Sequence, residues 1–179
     1  KILDPFMRGC LAEGIDYRGI LYPGVMLTTD GPRVLEFNAR FGDPETQVYL
    51  TRLENDLVEL LDASVDGKLG KMELKWKPGA SVCVVMASGG YPGSYEKGKL
   101  ISGLDEANAL PNTKVFHAGT AVAASRQSAA TMNPEEWRRS AETPLPPMEE
   151  NQIVTSGGRV LGVTSWANDL KAAQSAAYT

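Results

Sequence analysis

The stretch "VLEFNARFGDPETQ", residues 34–47, decides how the first part of this chain is interpreted. Successive side chains of a β-strand point to opposite faces of the sheet. Glu36 and Asn38 therefore share one face, whereas Leu35 and Phe37 point to the other, which we expect to supply core. The stretch predicts a strand that presents a carboxylate and an amide oxygen side by side.

This pairing of an acid with an amide suits a divalent cation. Hard cations such as Mg²⁺ prefer oxygen ligands and often complete their coordination shell with substrate phosphates. An amide in place of a second acid leaves the shell less anionic, which favours sharing the ion with phosphates. The alternative is a strand face that is merely polar, because short motifs often match by chance. Glu36 and Asn38 are thus candidate metal ligands.

The residues after the strand are suited to binding small charged molecules. "RFGDPET", residues 40–46, runs from the strand into a helix start, where free backbone N–H groups favour an anion. Arg40 adds a planar guanidinium that fits phosphate or carboxylate. Asp43 and Glu45 could instead receive a cationic amine or ribose hydroxyls. The alternative is an ordinary helix capped by Asp43, with Arg40 in a surface ion pair.

The sequence before this strand predicts its partner. Two β-rich runs, residues 19–28 and 33–38, flank "TDGP", and Asp-Gly between apolar runs indicates a hairpin. Pro23 and Gly24 predict a bulge or an edge in the first strand.

Helix signals surround this hairpin. A short helix is predicted over residues 4–13, capped by Asp4. Leucines at three- and four-residue spacing predict one longer helix from a cap at Asp43 to a stop at Gly67. A last helix, in "NDLKAAQSAAY", is predicted to begin at a cap on Asn168.

The character of the sequence changes after residue 70, where short apolar runs alternate with turns. "ASVCVVMA", "TKVFHAGTAV" and "NQIVTSGGRVLGVTSW" predict strands, while "SGGYPG" and "TSGGR" predict turns rather than phosphate loops. We therefore expect an α+β chain of two parts, residues 1–72 and residues 73–179. Residues 124–150, rich in Ala, Ser, Thr and Pro, predict an exposed insert.

The overall composition excludes some classes of protein. The chain has 179 residues and a net charge of −4, which argues against nucleic-acid binding. The sequence contains no apolar run of membrane-span length, and two cysteines in apolar surroundings favour a reducing, cytoplasmic location. A single histidine, His117, is more often packed and hydrogen-bonded than catalytic, and no nucleophile triad can be assembled by spacing.

Several segments together resemble one family. "GILYPGVMLTTDGPRVLEFNARFGDPETQ", "VVMASGGYPGSYEKG", "VFHAGT" and "VTSGGRVLGVT" resemble, in the same order, phosphoribosylamine–glycine ligases (glycinamide ribonucleotide synthetases) of the ATP-grasp superfamily. The resemblance covers residues 1 to about 122 and resumes at about 152. It implies the last portion of an ATP-grasp domain, made of antiparallel strands and helices. A small β-rich C-terminal domain would follow, with an atypical insert at about 121–151.

The resemblance also implies a reaction, the joining of glycine to 5-phosphoribosylamine with ATP through a glycyl phosphate, in purine biosynthesis. By resemblance, Glu36 and Asn38 bind Mg²⁺ or Mn²⁺ that bridges the ATP phosphates. Arg40 and Asp43 would be catalytic. The substrate-binding residues implied in the same way are Arg40, Gly42, Asp43, Pro44 and Glu45. His117, Gly119 and Thr120 match the family without an assigned role.

The family's N-terminal domain and the first half of its ATP-grasp fold have no counterpart in this sequence. We therefore expect a fragment that is inactive alone and whose partner is the missing N-terminal part of the same enzyme. One alternative is a non-catalytic assembly module, with Trp137 of the insert as an interface anchor. Another is an ATP-grasp carboxylate–amine ligase with a different substrate.

Overall fold

A computed structural model describes residues 1–123 and 152–179 of the chain. The predicted insert, with Trp137, lies outside these described residues. The elements, in chain order, are α1 Leu3–Ala12, β1 Tyr22–Thr28, β2 Gly31–Asn38, α2 Glu45–Leu50, α3 Leu57–Val65, β3 Ala80–Ala87, α4 Leu104–Ala109, β4 Thr113–His117, β5 Thr120–Val122, β6 Ile153–Thr155, β7 Arg159–Ala167 and α5 Leu170–Ala177. Helices accompany antiparallel sheets, so the predicted α+β class is confirmed.

The predicted hairpin is present as the antiparallel pair β1–β2. Tyr22 lies opposite Asn38, and Gly24 lies opposite Glu36. The register shifts between Gly24 and Val25, which is the β-bulge that the Pro-Gly step predicts. The hairpin therefore places the acid and the amide at its open end.

The predicted core contribution of β2 is wrong for the described residues. Leu35 is 67% exposed and Phe37 is 45% exposed. Phe37 packs against Phe6 of α1, with ring centroids 4.9 Å apart. A two-stranded sheet has too little surface to bury its own faces, so its apolar side chains stay accessible unless another layer covers them.

The single helix predicted after Asp43 is also wrong, because the structure divides it into α2 and α3. The backbone of Leu53 leaves the helical path and forms an isolated antiparallel bridge with Trp76. Asp56 then caps α3, and its carboxylate accepts hydrogen bonds at 2.7 and 3.3 Å from two backbone N–H groups. The capping aspartate and the long-range bridge together override the leucine periodicity.

Two of the predicted helix caps lie at neighbouring positions instead. Ile2 is the N-cap of α1 and makes no side-chain cap bond, while Asp4 lies in the first turn, where its charge suits the positive helix end. Asp169, rather than Asn168, caps α5, because its carboxylate accepts a hydrogen bond from a backbone N–H at 2.8 Å. Adjacent polar residues leave a sequence pattern ambiguous by one position.

The second half of the described chain is built on a three-stranded antiparallel sheet in the order β3-β7-β4, beside a separate pair β5-β6. Each of the last two predicted strands is interrupted, because Gly119 lies between β4 and β5 and the glycine-rich turn at 156–158 lies between β6 and β7. The turns predicted for "SGGYPG" and "TSGGR" are thereby confirmed. Val115, Val160 and Leu161 form the buried cluster of this sheet.

The register of this sheet gathers three chain segments at one end. Ala87, the last residue of β3, lies opposite Arg159, the first residue of β7. His117, the last residue of β4, lies opposite Leu161. Helix α2 packs against β3 and β7, and Arg159 Nη1 donates a hydrogen bond over 3.0 Å to the backbone carbonyl of Asp43, which lies in the loop before α2. The loop before α2 is thus brought to this end of the sheet.

Across residues 1–123 and 152–179, no helix combines the length and the apolar character needed to cross a bilayer.

The half-buried thiol of Cys83 gives a first testable prediction. Burial raises the pKa of this thiol, Thr164 on the neighbouring strand lowers it in part, and the charge of Asp43 raises it. In the unfolded chain a cysteine thiol begins to ionise around pH 8.5. In the folded chain the raised pKa keeps the Cys83 thiol protonated at that pH. The stability contributed by Cys83 is therefore present below the ordinary pKa and declines as pH rises towards the raised one.

We expect the midpoint of the pH–rate curve for iodoacetamide alkylation of Cys83 to lie higher in the folded chain than in the chain unfolded in urea. Peptide mass mapping separates this cysteine from Cys10, which is only 8% exposed. Identical midpoints in the two states would contradict the shift.

Candidate functional site

Glu36 and Asn38 lie side by side on one face of β2. The Asn38 side-chain Nδ2 donates a hydrogen bond to Glu36 Oε1 over 3.0 Å. Gly24 lies opposite Glu36 on β1, and a Cβ atom at Gly24 would approach Glu36 Cγ to 3.0 Å. The glycine therefore leaves room for the Glu36 side chain to extend across the neighbouring strand. The Glu36 carboxylate is exposed.

The donor set of this pair fits a hard divalent cation that is shared with a ligand. The described residues contain no group of three or more His, Cys, Asp and Glu side chains arranged to hold a metal ion. Glu36 and Asn38 supply two oxygen-bearing side chains, which is the small protein contribution that Mg²⁺ commonly receives when phosphates and waters fill its other positions. The pair is therefore compatible with a metal bound jointly by protein and nucleotide.

The loop between β2 and α2 presents Arg40 to solvent. Arg40 Nη1 donates to the carbonyl oxygen of Phe41 over 3.0 Å, and the side chain is exposed. Within the described residues, Arg40 thus contacts a backbone carbonyl and does not form the surface ion pair considered as the alternative. A guanidinium held at one edge by its own loop keeps donors directed outward, which suits an anionic ligand.

The expectation that Asp43 caps the following helix is wrong. Pro44 occupies the N-cap position of α2, with no side-chain cap bond. The Asp43 carboxylate instead accepts a hydrogen bond from Gln47 Nε2 at 3.0 Å and pairs with Arg159 Nη2 at 3.3 Å. Arg159 Nη1 also donates to the backbone carbonyl of Asp43 over 3.0 Å. Two of these contacts hold the carboxylate and the third holds the backbone of Asp43.

Gly42 and Glu45 form a second packed unit in the loop. The Glu45 carboxylate folds back over Gly42 so closely that a Cβ atom there would overlap it. Partial burial, followed by the negative charge of Glu45, raises the pKa of Tyr22 at the start of β1. Thr46 N–H donates to the Gly42 carbonyl over 3.0 Å, which closes the first turn. A Cβ atom at position 42 would therefore force the Glu45 carboxylate, which is itself a candidate ligand, to move.

A cavity of about 380 Å³ lies between this loop and β4. Asp43 and Gln47 contribute polar atoms to its lining, while Phe41 and Phe116 contribute apolar walls. Gln47 Oε1 is buried and has no hydrogen-bond partner among the described residues. The cavity thus offers acceptor groups beside an aromatic surface, which suits a small polar ligand that carries hydrogen-bond donors.

Two residues of this arrangement were missed by sequence reasoning. Gln47 lies four positions after Asp43, a spacing that places both on one helix side and could have been recognised. Arg159 was included in a predicted glycine-rich turn. In the sequence, Arg159 is a charged residue at the start of an otherwise apolar strand. That pattern does not identify Asp43 as its partner.

His117 stands at the end of β4, near the same end of the sheet. Its Nδ1 and the Thr120 hydroxyl are 3.1 Å apart, and the side chain is exposed. The histidine is hydrogen-bonded, as expected for a lone histidine, but it is not packed in the interior. The intervening Gly119 donates its N–H to the Arg159 carbonyl over 2.8 Å.

Comparisons with known proteins match almost the whole chain. Residues 81–179 match the family model described as the phosphoribosylglycinamide synthetase C domain, and residues 1–46 match the ATP-grasp (A) domain of the same synthetase. A phosphoribosylamine–glycine ligase of Vibrio cholerae is 45% identical over 99% of this chain. A ligase of the same name from Vigna unguiculata is 43% identical over 99% of the chain.

A solved structure agrees with these matches. The crystal structure of a phosphoribosylamine–glycine ligase from Thermotoga maritima superposes with a TM-score of 0.69 at 32% identity, over 98% of this chain and 36% of that one. The chain covers 35% of the Vibrio cholerae protein and 50% of the Vigna unguiculata protein. It therefore spans between about a third and a half of the length of these relatives.

The hairpin with its acid–amide pair lies in the segment, residues 1–46, that matches an ATP-grasp domain, so this part of the chain is of the ATP-grasp class. The chain belongs to the phosphoribosylglycinamide synthetase family. The family predicted from the ordered sequence motifs is thereby confirmed.

Proposed function

We propose that this chain forms part of an ATP-dependent carbon–nitrogen ligase that joins glycine to 5-phosphoribosylamine, giving glycinamide ribonucleotide, ADP and phosphate in purine biosynthesis. The observation that carries the proposal is the acid–amide pair on one face of β2, which leads directly into the Gly42–Glu45 loop. The names of the family and of the Vibrio cholerae and Vigna unguiculata relatives support the same reaction.

In this proposal Glu36 and Asn38 hold Mg²⁺ or Mn²⁺ against the ATP phosphates. The bound cation would neutralise charge on the phosphates during transfer of the terminal phosphoryl group to the glycine carboxylate. Arg40 binds and orients the anionic groups beside the pair. Transfers of this kind depend on positioning and charge neutralisation, so no activated serine or cysteine is needed.

The loop supplies the second half of the proposed reaction. Asp43 and Glu45 accept hydrogen bonds from the amine and the ribose hydroxyls of phosphoribosylamine, while Gly42 and Pro44 shape the wall on which it lies. The amine nitrogen then attacks the acyl carbon of glycyl phosphate, the C–N bond forms, inorganic phosphate leaves, and the nitrogen loses a proton. Asp43, fixed by Gln47 and Arg159, directs the amine towards that carbon.

The proposal extends to the organisation of the protein. Residues 1–72 would complete an ATP-grasp domain, residues 73–179 would form the C-terminal domain, and the remaining N-terminal part of the enzyme would be its partner. We place the intact ligase in the cytoplasm. The 179-residue chain alone would not turn over, because the relatives it matches are two to three times longer.

A chimera tests this function. This chain replaces the matching segment of the Vibrio cholerae relative, and ADP release is measured with glycine and phosphoribosylamine together and with each omitted. We expect ADP release that depends on both substrates in the chimera, and none from the 179-residue chain.

The unmodified Vibrio cholerae protein controls for the assay, and a parallel panel of other carboxylates and amines tests the alternative ligase. A folded but inactive chimera, or a clear preference for another substrate pair, would count against the proposal.

A further inference from the structure

The contact between Asp43 and Arg159 joins parts of the chain that are 116 residues apart. Two nitrogens of one guanidinium reach two different groups of Asp43, the backbone carbonyl at 3.0 Å and the carboxylate at 3.3 Å. A planar fork that binds two groups of one residue restricts the direction of that residue as well as its distance. Gln47 holds the other carboxylate oxygen from the opposite side of the loop.

We propose that Arg159 is a positioning residue, which fixes the Asp43 loop on the C-terminal sheet and thereby sets how the amine substrate is held; the proposal rests on the function given above. Arg159 acts through Asp43 and does not itself contact substrate. The C-terminal domain would thus take part in substrate alignment through one side chain.

The backbone of Arg159 is held firmly enough to serve as an anchor. It is the first residue of β7 and pairs with Ala87 across the sheet. Its carbonyl accepts the Gly119 N–H at 2.8 Å, and a Cβ atom at Gly119 would lie 2.5 Å from that carbonyl oxygen. The preceding turn is fastened by Ser88, whose N–H and hydroxyl donate to the carbonyls of the two preceding glycines, each over 2.8 Å.

The same contact is poorly suited to a purely stabilising role. The two side chains of the ion pair are 46% and 54% exposed. Ion pairs with this much solvent access contribute little to folding free energy. Their geometric effect is not weakened in the same way, because a guanidinium with two simultaneous acceptors still restricts the loop. The arrangement therefore favours a role in alignment.

The test uses the chimera and the variant Arg159→Met, which keeps much of the length of the side chain and removes the charged fork. We expect kcat/KM for phosphoribosylamine to fall about tenfold or more, since small misplacements of a substrate-holding group are costly. The KM for ATP should stay within about twofold, because the acid–amide pair has no contact with Arg159. For Arg159→Lys, which retains the charge but not the planar fork, kcat/KM for phosphoribosylamine should lie between the values for the parent and for Arg159→Met.

A matched control is Arg52→Met. Arg52 also donates two guanidinium nitrogens to a backbone carbonyl, that of Lys77, at 3.1 and 2.9 Å. This control should leave the KM for phosphoribosylamine unchanged. In a double variant, Asp43→Asn with Arg159→Met, the loss of kcat/KM for phosphoribosylamine should be smaller than the product of the two single losses, because both changes disrupt one shared contact and only the bond to the Asp43 backbone carbonyl remains to be lost in Asp43→Asn. Additive losses would overturn the proposal and indicate direct substrate contact by Arg159.

A second measurement separates this inference from the proposed function. Hydrogen exchange is followed in residues 39–47 of the 179-residue chain, without substrate, for the parent and for Arg159→Met. We expect faster exchange in that segment for Arg159→Met and little change for Arg52→Met. Unchanged exchange would overturn the anchoring role even if the chimera is an active ligase. Faster exchange would support that role even if the chimera acts on other substrates.

Discussion

Replacing Glu36 with glutamine in the chimera is expected to lower kcat by about a hundredfold or more, the scale seen when one electrostatic contact to a transition state is lost. The change keeps the shape of the side chain but removes the negative charge that faces the proposed cation. The Asn38 amide would still meet an oxygen at position 36, so the fold of the hairpin should persist. Activity at saturating glycine and phosphoribosylamine is measured across a series of Mg²⁺ and Mn²⁺ concentrations.

The metal dependence makes this experiment specific. For Glu36→Gln the concentration of cation that gives half-maximal activity should rise, because one anionic ligand is lost. Glu54→Gln is the matched control, since Glu54 is an exposed acid between α2 and α3 that lies outside the proposed site. Near-normal rates in Glu36→Gln, with an unchanged cation requirement, would remove Glu36 from the metal site.

Gly119→Ala is expected to lower the stability of the chain. A Cβ atom at this position would lie 2.5 Å from the Arg159 carbonyl oxygen and 2.6 Å from Gly157 Cα, and both neighbours are backbone. A backbone atom cannot rotate away as a side chain can, so the segments that contain Gly119 and Arg159 must move apart at this end of the sheet. Overpacking of this kind costs about 1–3 kcal/mol, which corresponds to a fall of roughly 2–12 °C in Tm for a chain of this size.

Thermal unfolding of the 179-residue chain, followed by circular dichroism, measures this loss. Gly89→Ala is the matched control, because it lies in the turn at the same end of the sheet and a Cβ atom there has no heavy atom within 4 Å. We expect its Tm to stay close to that of the parent. An equal fall in Tm for Gly119→Ala and Gly89→Ala would show that the backbone around Gly119 can accommodate a Cβ atom, contrary to the prediction.

The hairpin and its acid–amide pair could be predicted from sequence because both depend on local rules. Strand alternation placed Glu36 and Asn38 on one face, and Asp-Gly marked the turn. The structure agrees in each respect, with the two side chains 3.0 Å apart. A pattern that is satisfied within about fifteen residues needs no knowledge of the rest of the fold.

The errors in the fold arise where distant residues compete with local preference. Leucine spacing favoured one helix after Asp43, but the bridge between Leu53 and Trp76 interrupts it. The burial expected for Leu35 also failed, because alternation predicts which side chains share a face and not whether another layer covers that face.

In the candidate site, too, local features could be predicted from the sequence and a contact between distant residues could not. The loop residues Gly42 to Glu45 were indicated by the helix start, by the two acids and by the resemblance to the family, whereas the partner of Asp43 was not predicted. Arg159 lies on a different sheet, and the Asp43 carboxylate was expected to cap a helix. Only the assembled register, with Arg159 at the start of β7, identifies the contact.

The separation of 116 residues between Asp43 and Arg159 has a consequence during translation. A ribosome that adds about 5–20 residues per second needs roughly 6–23 s to extend from one to the other. Throughout that interval the nascent hairpin and its loop lack the guanidinium that orients them. A polypeptide released early, before β7, would carry every proposed substrate-binding residue in an unaligned state. The proposed alignment of the Asp43 loop would therefore form only after β7 has left the exit tunnel.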